Sequence, residues 1–326
     1  MEWAHFYRNK LNPVAQKYYD SIMHQLREKG YTTNGVFRIC IEGQDPKKAK
    51  SDGADALLAV LDDNPQLFFF DFEFTTNFVL GVLIITCKPL YSATQCCRIK
   101  RLLDKELELL TNGCRTALMG DFEKELTIYS RVASRYSYSK GVDPRSNGEG
   151  FEPIDYTVVG PVLKRTCVCS GYAAILILAL REVGIPCFKV RGGGHAWVMV
   201  SINGIPLHCD ATWESVNADG TVSYEYFNLT EQDILKDHRI EVTDIPESRF
   251  KGYSYHNYNK CSFSSPKDAS AYIRREFKQG NRTVRVRLDD ESDIEMCIRN
   301  ALRACHSATY TYYCNKKLNS AFICAK

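Results

Sequence analysis

Strong net charge is the first thing this chain lacks. Its 42 lysines and arginines are nearly matched by 39 aspartates and glutamates, leaving a formal charge of +3 over 326 residues. That balance supplies no electrostatic footprint for a nucleic-acid partner. The short basic runs at Lys47, Lys48 and Lys50 and at Arg282, Arg285 and Arg287 are accounted for by solvated faces. Long apolar runs are missing too. The most hydrophobic stretch, 78–87, meets Lys88 and Pro89 at once; it is far short of a bilayer span and predicts a core strand. The opening MEWAHFYR has no basic stretch leading into an apolar one, so a cytoplasmic protein with no membrane partner is expected. No Cys-x-x-Cys pair occurs among the 14 cysteines, and the Cys96–Cys97 and Cys167-x-Cys169 spacings are poor zinc signatures. Neither a metal nor another cofactor is expected. Without a leader, a disulfide framework is not expected either. Cys40, Cys87, Cys187, Cys297, Cys305 and Cys324 sit in apolar runs and read as small buried hydrophobes.

What is present is the composition of an ordinary globular protein, with 44% apolar and 25% charged residues. No internal repeat or low-complexity segment stands out, and the length allows two or three domains. Residues 1–115 read as mixed α/β: helices over 14–29, 54–61 and 96–110, and strands over 35–41, 67–73 and 78–86, with the Thr-Thr-Asn at 75–77 as a hairpin turn. A segment 116–245 follows, with a helix over 122–136, a Gly/Asp/Pro/Ser/Asn-rich loop at 140–150, a loop at 217–220, and Thr230 placed to cap a helix at Glu231. The last segment, 246–326, reads helix (266–278), strand (283–288), helix (293–305), strand (308–314), a small α/β region.

The chemistry concentrates in the middle segment. Cys169-Ser-Gly-Tyr-Ala, Gly194-His-Ala-Trp and Cys209-Asp-Ala-Thr-Trp supply a thiol, an imidazole and a carboxylate in that order. These are the parts of a triad in which histidine activates cysteine and a carboxylate fixes the histidine. The run 171–180 is apolar all round and predicts a buried helix, placing Cys169 at its N-terminus. There the helix dipole and backbone N–H groups favour a thiolate and can bind an oxyanion, with Lys164 and Arg165 adding positive potential. The alternative is a buried structural cysteine. Residues 196–202 alternate and meet Asn203-Gly204, a two-residue hairpin signal. Pairing Ile202 with Ile205 puts Asp210 opposite Trp197 and His195 opposite Thr212, so His195 and Asp210 share one face as diagonal neighbours. His208 faces Met199 deeper in the hairpin and suits a core or supporting role, while Cys209 points to the other face. Cys167 competes as nucleophile but precedes the helix. For His238 and His256 the sequence offers no partner.

At these residues the chain resembles the transglutaminase-like superfamily, in particular bacterial, cytokinesis-related members with this core. The resemblance rests on Gly160-Pro-Val-Leu, Val168-Cys-Ser-Gly-Tyr-Ala173, His195-Ala-Trp197, Asp210-Ala-Thr-Trp213 and Tyr226-Phe-Asn-Leu-Thr230, and spans about 120–240. It implies an α+β fold with a papain-like core, the cysteine helix packed on an antiparallel sheet bearing His and Asp, flanked by N- and C-terminal α/β regions. It also implies Cys169 as nucleophile, His195 as base and acid, and Asp210 as orienter. Cys167 stands where such sequences often carry glycine and Val159 where they often carry tyrosine, so Tyr156 becomes a substitute oxyanion donor, with Trp197 and Trp213 as substrate contacts. Active members share a thioester acyl-enzyme and differ in what resolves it. The expectation is a cysteine peptidase or amidase acting on a peptide or protein. The alternatives are a protein–glutamine transamidase and a non-catalytic interaction module. No acidic cluster suggests a calcium site; Asp289, Asp290, Glu291 and Asp293 read as a solvated helix start.

Overall fold

The computed structural model describes residues 3–32, 34–40, 45–116, 118–139, 152–214, 216, 220–289, 292–305 and 309–325. The loop expected at 140–150, residues 217–219 of the loop expected at 217–220, and Asp290 and Glu291 lie outside the described residues. The chain divides into two compact units, 1–119 with 136–189, and 120–135 with 190–326. Both mix helices with mainly antiparallel sheets, an α+β architecture.

The first unit holds α1 (Phe6–Lys10), α2 (Pro13–Lys29), β1 (Val36–Cys40), α3 (Pro46–Asp63), β2 (Phe70–Val79), β3 (Val82–Pro89) and α4 (Ala93–Thr111). After α5 (Asp121–Arg135), which belongs to the second unit, come β4 (Ser137–Tyr138), α6 (Val159–Lys164), β5 (Thr166–Cys167) and α7 (Cys169–Glu182). Asn12 caps α2 through bonds from the Val14 and Ala15 amides, and Ala15, Tyr18, Tyr19, Ile22 and Leu26 bury one face at helical spacing. β3 is central in an antiparallel sheet of order β1-β3-β2. α3 comes so close to this sheet that a Cβ on Gly53 would lie 2.6 Å from Leu83 Cδ2.

The hairpin is not where the sequence placed it. Phe70–Val79 is one strand, running through Thr75, Thr76 and Asn77, and the turn is Leu80–Gly81 with φ of 50° and 78°. β-Branched threonines favour extended backbone, and the two-residue turn that joins twisted strands needs positive φ, which Gly81 tolerates.

The chain passes into the second unit within β6 (Cys187–Gly192). β6, β7 (His195–Ile202) and β8 (Ile205–Cys209) form a sheet in that order. The β7–β8 register is the expected one, with Ile202 opposite Ile205, Met199 opposite His208 and Val198 opposite Cys209. Its turn has Asn203 and Gly204 at φ of 52° and 80°. The short helices α8 (Glu231–Ile234) and α9 (Tyr255–Tyr258) follow, Thr230 capping the first by accepting from the Asp233 amide. The C-terminal region is β9 (Ser262–Phe263), α10 (Pro266–Lys278), β10 (Thr283–Leu288), α11 (Ile294–Arg303), β11 (Tyr310–Asn315) and β12 (Ser320–Ala325). The order of its sheet is β11-β12-β10-β9. Ile273, Val286, Ile298 and Ile323 form its buried centre.

Candidate functional site

Cys169 is the first residue of α7, directly after an extended Val168, and no side chain caps that helix end. The approach is built by a parallel pairing of β4 with β5, where the Ser139 amide donates to the Cys167 carbonyl at 3.0 Å, and by the Val168 amide donating to the Asp155 carbonyl at 3.0 Å. Gly171 makes this packing possible: a Cβ there would lie 2.5 Å from Cys167 Cβ and 2.7 Å from the Asp155 carbonyl oxygen. Cys167 is fully buried, and burial, followed by the charges of Asp155 and Cys169, pushes its thiol pKa far up. A thiol held protonated is a poor nucleophile. Tyr156 belongs to the same unit; burial and then the Cys169 and Asp155 charges raise its pKa. Lys164 and Arg165 do not supply the free positive charge expected of them. Lys164 Nζ bonds Glu152 Oε2 at 2.5 Å and Arg165 pairs with the buried Glu106.

In the second unit the hairpin brings His195 and Asp210 together. His195 opens β7 and Asp210 follows the last residue of β8; His195 Nε2 lies 2.7 Å from Asp210 Oδ2. The Asp210 carboxylate is 1% exposed and held on both oxygens, since the Thr212 amide donates to Oδ1 at 2.8 Å. Its backbone is pinned as well: the amide donates to the Tyr226 carbonyl and the carbonyl accepts from Tyr129 Oη, each at 3.0 Å. Burial alone would raise the carboxyl's pKa. The charge and hydrogen bond of His195, then those of His238, outweigh it and hold the pKa well below the usual range.

His238 is the residue the sequence left unassigned. Its Nε2 lies 3.0 Å from the same Asp210 Oδ2 and its Nδ1 2.6 Å from Asp237 Oδ1. No local motif marks it; 28 residues separate it from Asp210. Burial would lower its pKa, but the hydrogen bonds to Asp210 and Asp237 and the Asp210 charge raise it. Trp197, at 1% exposure, does not reach solvent, and its Nε1 donates to His208 Nδ1 at 3.1 Å. Trp213 is 41% exposed, with its ring 5.2 Å from His195 and 4.3 Å from His238. His208 is buried in the hairpin, where burial and then His238 lower its pKa to about 3. Cys209 points away from His195, with Sγ 3.1 Å from both Glu125 Oε1 and Asn228 Oδ1. His256 is buried, and burial, aided by Arg287 and Arg285, lowers its pKa to about 3.

Among the described residues, His195, Asp210 and His238 form a group whose donor atoms, all within 4.8 Å, could reach one cation. Separations of 2.7 and 3.0 Å to a single shared oxygen are, however, those of N–H···O bonds. A cavity of about 550 Å³ lies elsewhere in the second unit, lined by Asp233, Arg287 and Asp293 among others, and none of the candidate site residues borders it. Among the described residues no helix is long and apolar enough to cross a membrane.

Residues 109–217, about a third of the chain, match the family model of the transglutaminase-like superfamily. That stretch, which contains Cys169, His195 and Asp210, is similar to a transglutaminase-like core; the match ends before the Tyr226-Phe-Asn-Leu-Thr230 segment. No curated protein matches the chain significantly. A solved crystal structure of a TGase is similar at 12% identity and a TM-score of 0.32, over 55% of this chain and 50% of that one. The chain thus spans about half the length of that protein.

Proposed function

We propose that this chain is a cysteine-dependent amide hydrolase, a peptidase or amidase acting on a peptide or protein, with residues 116–245 as its catalytic segment. The observation that carries the reading is the 2.7 Å bond between His195 Nε2 and a buried, well-held Asp210 carboxylate, inside a segment that matches the transglutaminase-like model. With Nε2 donating to Asp210, proton transfer runs through Nδ1. In the proposed reaction His195 takes the Cys169 proton and Sγ attacks the substrate carbonyl carbon. The tetrahedral intermediate collapses as His195 protonates the leaving amine, giving a thioester and a free amine. Water, deprotonated by His195, then attacks the thioester; acid and free thiol result. The backbone N–H groups at the start of α7 and the Tyr156 hydroxyl are the proposed oxyanion donors. Trp213 is the aromatic assigned to substrate contact, and buried Trp197 supports the hairpin behind His195.

The test is amide turnover by wild type and Cys169→Ala across a peptide and amide library, read by mass spectrometry. Turnover by the wild type alone is expected; equal turnover by both would sink the proposal. Incorporation of a labelled primary amine into a glutamine donor would identify an amine rather than water as the acceptor, and with it a transamidase.

A further inference from the structure

His238 has no step in the reaction above, yet it touches the residue that orients the base. Its side chain is 1% exposed and lies between two carboxylates, Asp210 Oδ2 at 3.0 Å and Asp237 Oδ1 at 2.6 Å. Carboxylate oxygens only accept, so both ring nitrogens donate and the ring is an imidazolium. Asp237 is secured in turn: Tyr226 Oη donates to its Oδ2 at 2.7 Å, and Asn315 Nδ2 donates to Tyr226 Oη at 2.9 Å. The file Asn315–Tyr226–Asp237–His238–Asp210–His195 leads from the end of β11 in the C-terminal sheet to the first residue of β7. A buried cation is costly unless compensated. Here two carboxylates meet the ring, and Trp213 and Trp197 pack on it with centroids 4.3 and 5.0 Å away.

We infer that His238 is a positioning residue: gripped by Asp237, it fixes the Asp210 carboxylate against the His195 ring and takes a share of its negative charge. The inference rests on the reading of His195 as base and Asp210 as its orienter. It gives the C-terminal region a function, since Asn315 anchors the far end of the file. The charge argument has a definite sign. Asp210 now divides its field between two rings; without the His238 charge the whole field falls on His195 and favours its protonated form. The titratable groups around His238 are Asp210, Asp237, His195, His208 and Tyr226, and its charge already counts among the causes lowering the His208 pKa.

The full chain labelled with ¹⁵N-histidine tests this, because long-range ¹H–¹⁵N spectra report the protonation of each ring and only seven histidines are present. His238 should be doubly protonated at pH 7 in the wild type. His238→Gln should raise the His195 midpoint by about one pH unit, roughly tenfold in proton affinity. Asp237→Asn, which keeps the shape of the site if His238→Gln fails to fold, should raise it by less, because the Asp237 charge disappears too. A neutral His238 at pH 7 in the wild type, or a His195 midpoint unmoved or lowered by Asp237→Asn, overturns the inference. The acyl-transfer reading fails by a different sign, absence of amide turnover by the wild type, while the spectroscopic shift would persist.

Discussion

Glu125 is buried at 1% exposure on α5, with Oε1 accepting from Cys209 Sγ at 3.1 Å and Oε2 from Asn228 Nδ2 at 2.8 Å. Burial pushes its pKa from 4.5 to about 8; the Asn228 and Cys209 bonds offset only part of that, and Asp121 adds a little. A carboxyl whose folded pKa exceeds its unfolded one contributes stability that is fully present below about pH 4.5 and is lost as pH rises through about 8. At about 1.4 kcal/mol for each tenfold change in proton affinity, the loss is about 3 kcal/mol by pH 7 and approaches about 5 kcal/mol above pH 8. Glu125→Gln retains the neutral shape but puts an amide N–H₂ where the weak thiol stands, costing about 1 kcal/mol. The variant is therefore expected within about 1 kcal/mol of wild type at pH 5 and about 3 kcal/mol more stable at pH 7.5, several degrees in Tm. Urea unfolding and thermal scans at several pH values between 5 and 8.5 measure this. Burial likewise raises Glu214 to about 7 and Glu225 to about 8, so the pH slope should shrink in the variant, not vanish. Identical pH slopes for the two proteins would refute the reasoning.

Two substitutions in the first unit test how α7 is held. Gly171→Ala drives a Cβ to within 2.7 Å of the Asp155 carbonyl oxygen, so backbone must move; a loss of about 2 kcal/mol or more is expected in thermal unfolding, and an unchanged Tm would contradict the close packing. Ile177→Ala removes a fully buried side chain from the middle of the helix. It should cost about 2–5 kcal/mol in denaturant unfolding, and a cost below about 1 kcal/mol would mean that the site collapses freely.

The hairpin carrying His195 was legible because its determinants are local. Asn203-Gly204 sets the turn, and the two-residue turn fixes the register found in β7 and β8; the expected alternation is not there, since residues 196–202 are all buried. The same reasoning misplaced the turn between β2 and β3, where polar Thr75, Thr76 and Asn77 looked like a break but lie within a strand. Polarity there reflects strand exposure, and the conformational signal was Gly81. α3 starts earlier than its apolar pattern suggested because Asp45 accepts from the Lys48 amide at 2.9 Å and Pro46 follows it, so capping extended a helix whose first turn is polar. β12 was absent from the sequence reading, although it is central enough to pair with both β10 and β11.

By itself the sequence determined the thiol at the head of an apolar helix, the hairpin that joins His195 to Asp210, and the alternating helices and strands of the C-terminal region. Each follows from periodicity, capping or turn chemistry within a few residues. Only the tertiary structure decided which charges are spent in pairs and which converge. Lys164 and Arg165 are drawn to Glu152 and Glu106, while His238, 28 residues beyond Asp210, comes to share its carboxylate. A buried charge must find its partner wherever the fold delivers one, and that distance in sequence is unconstrained.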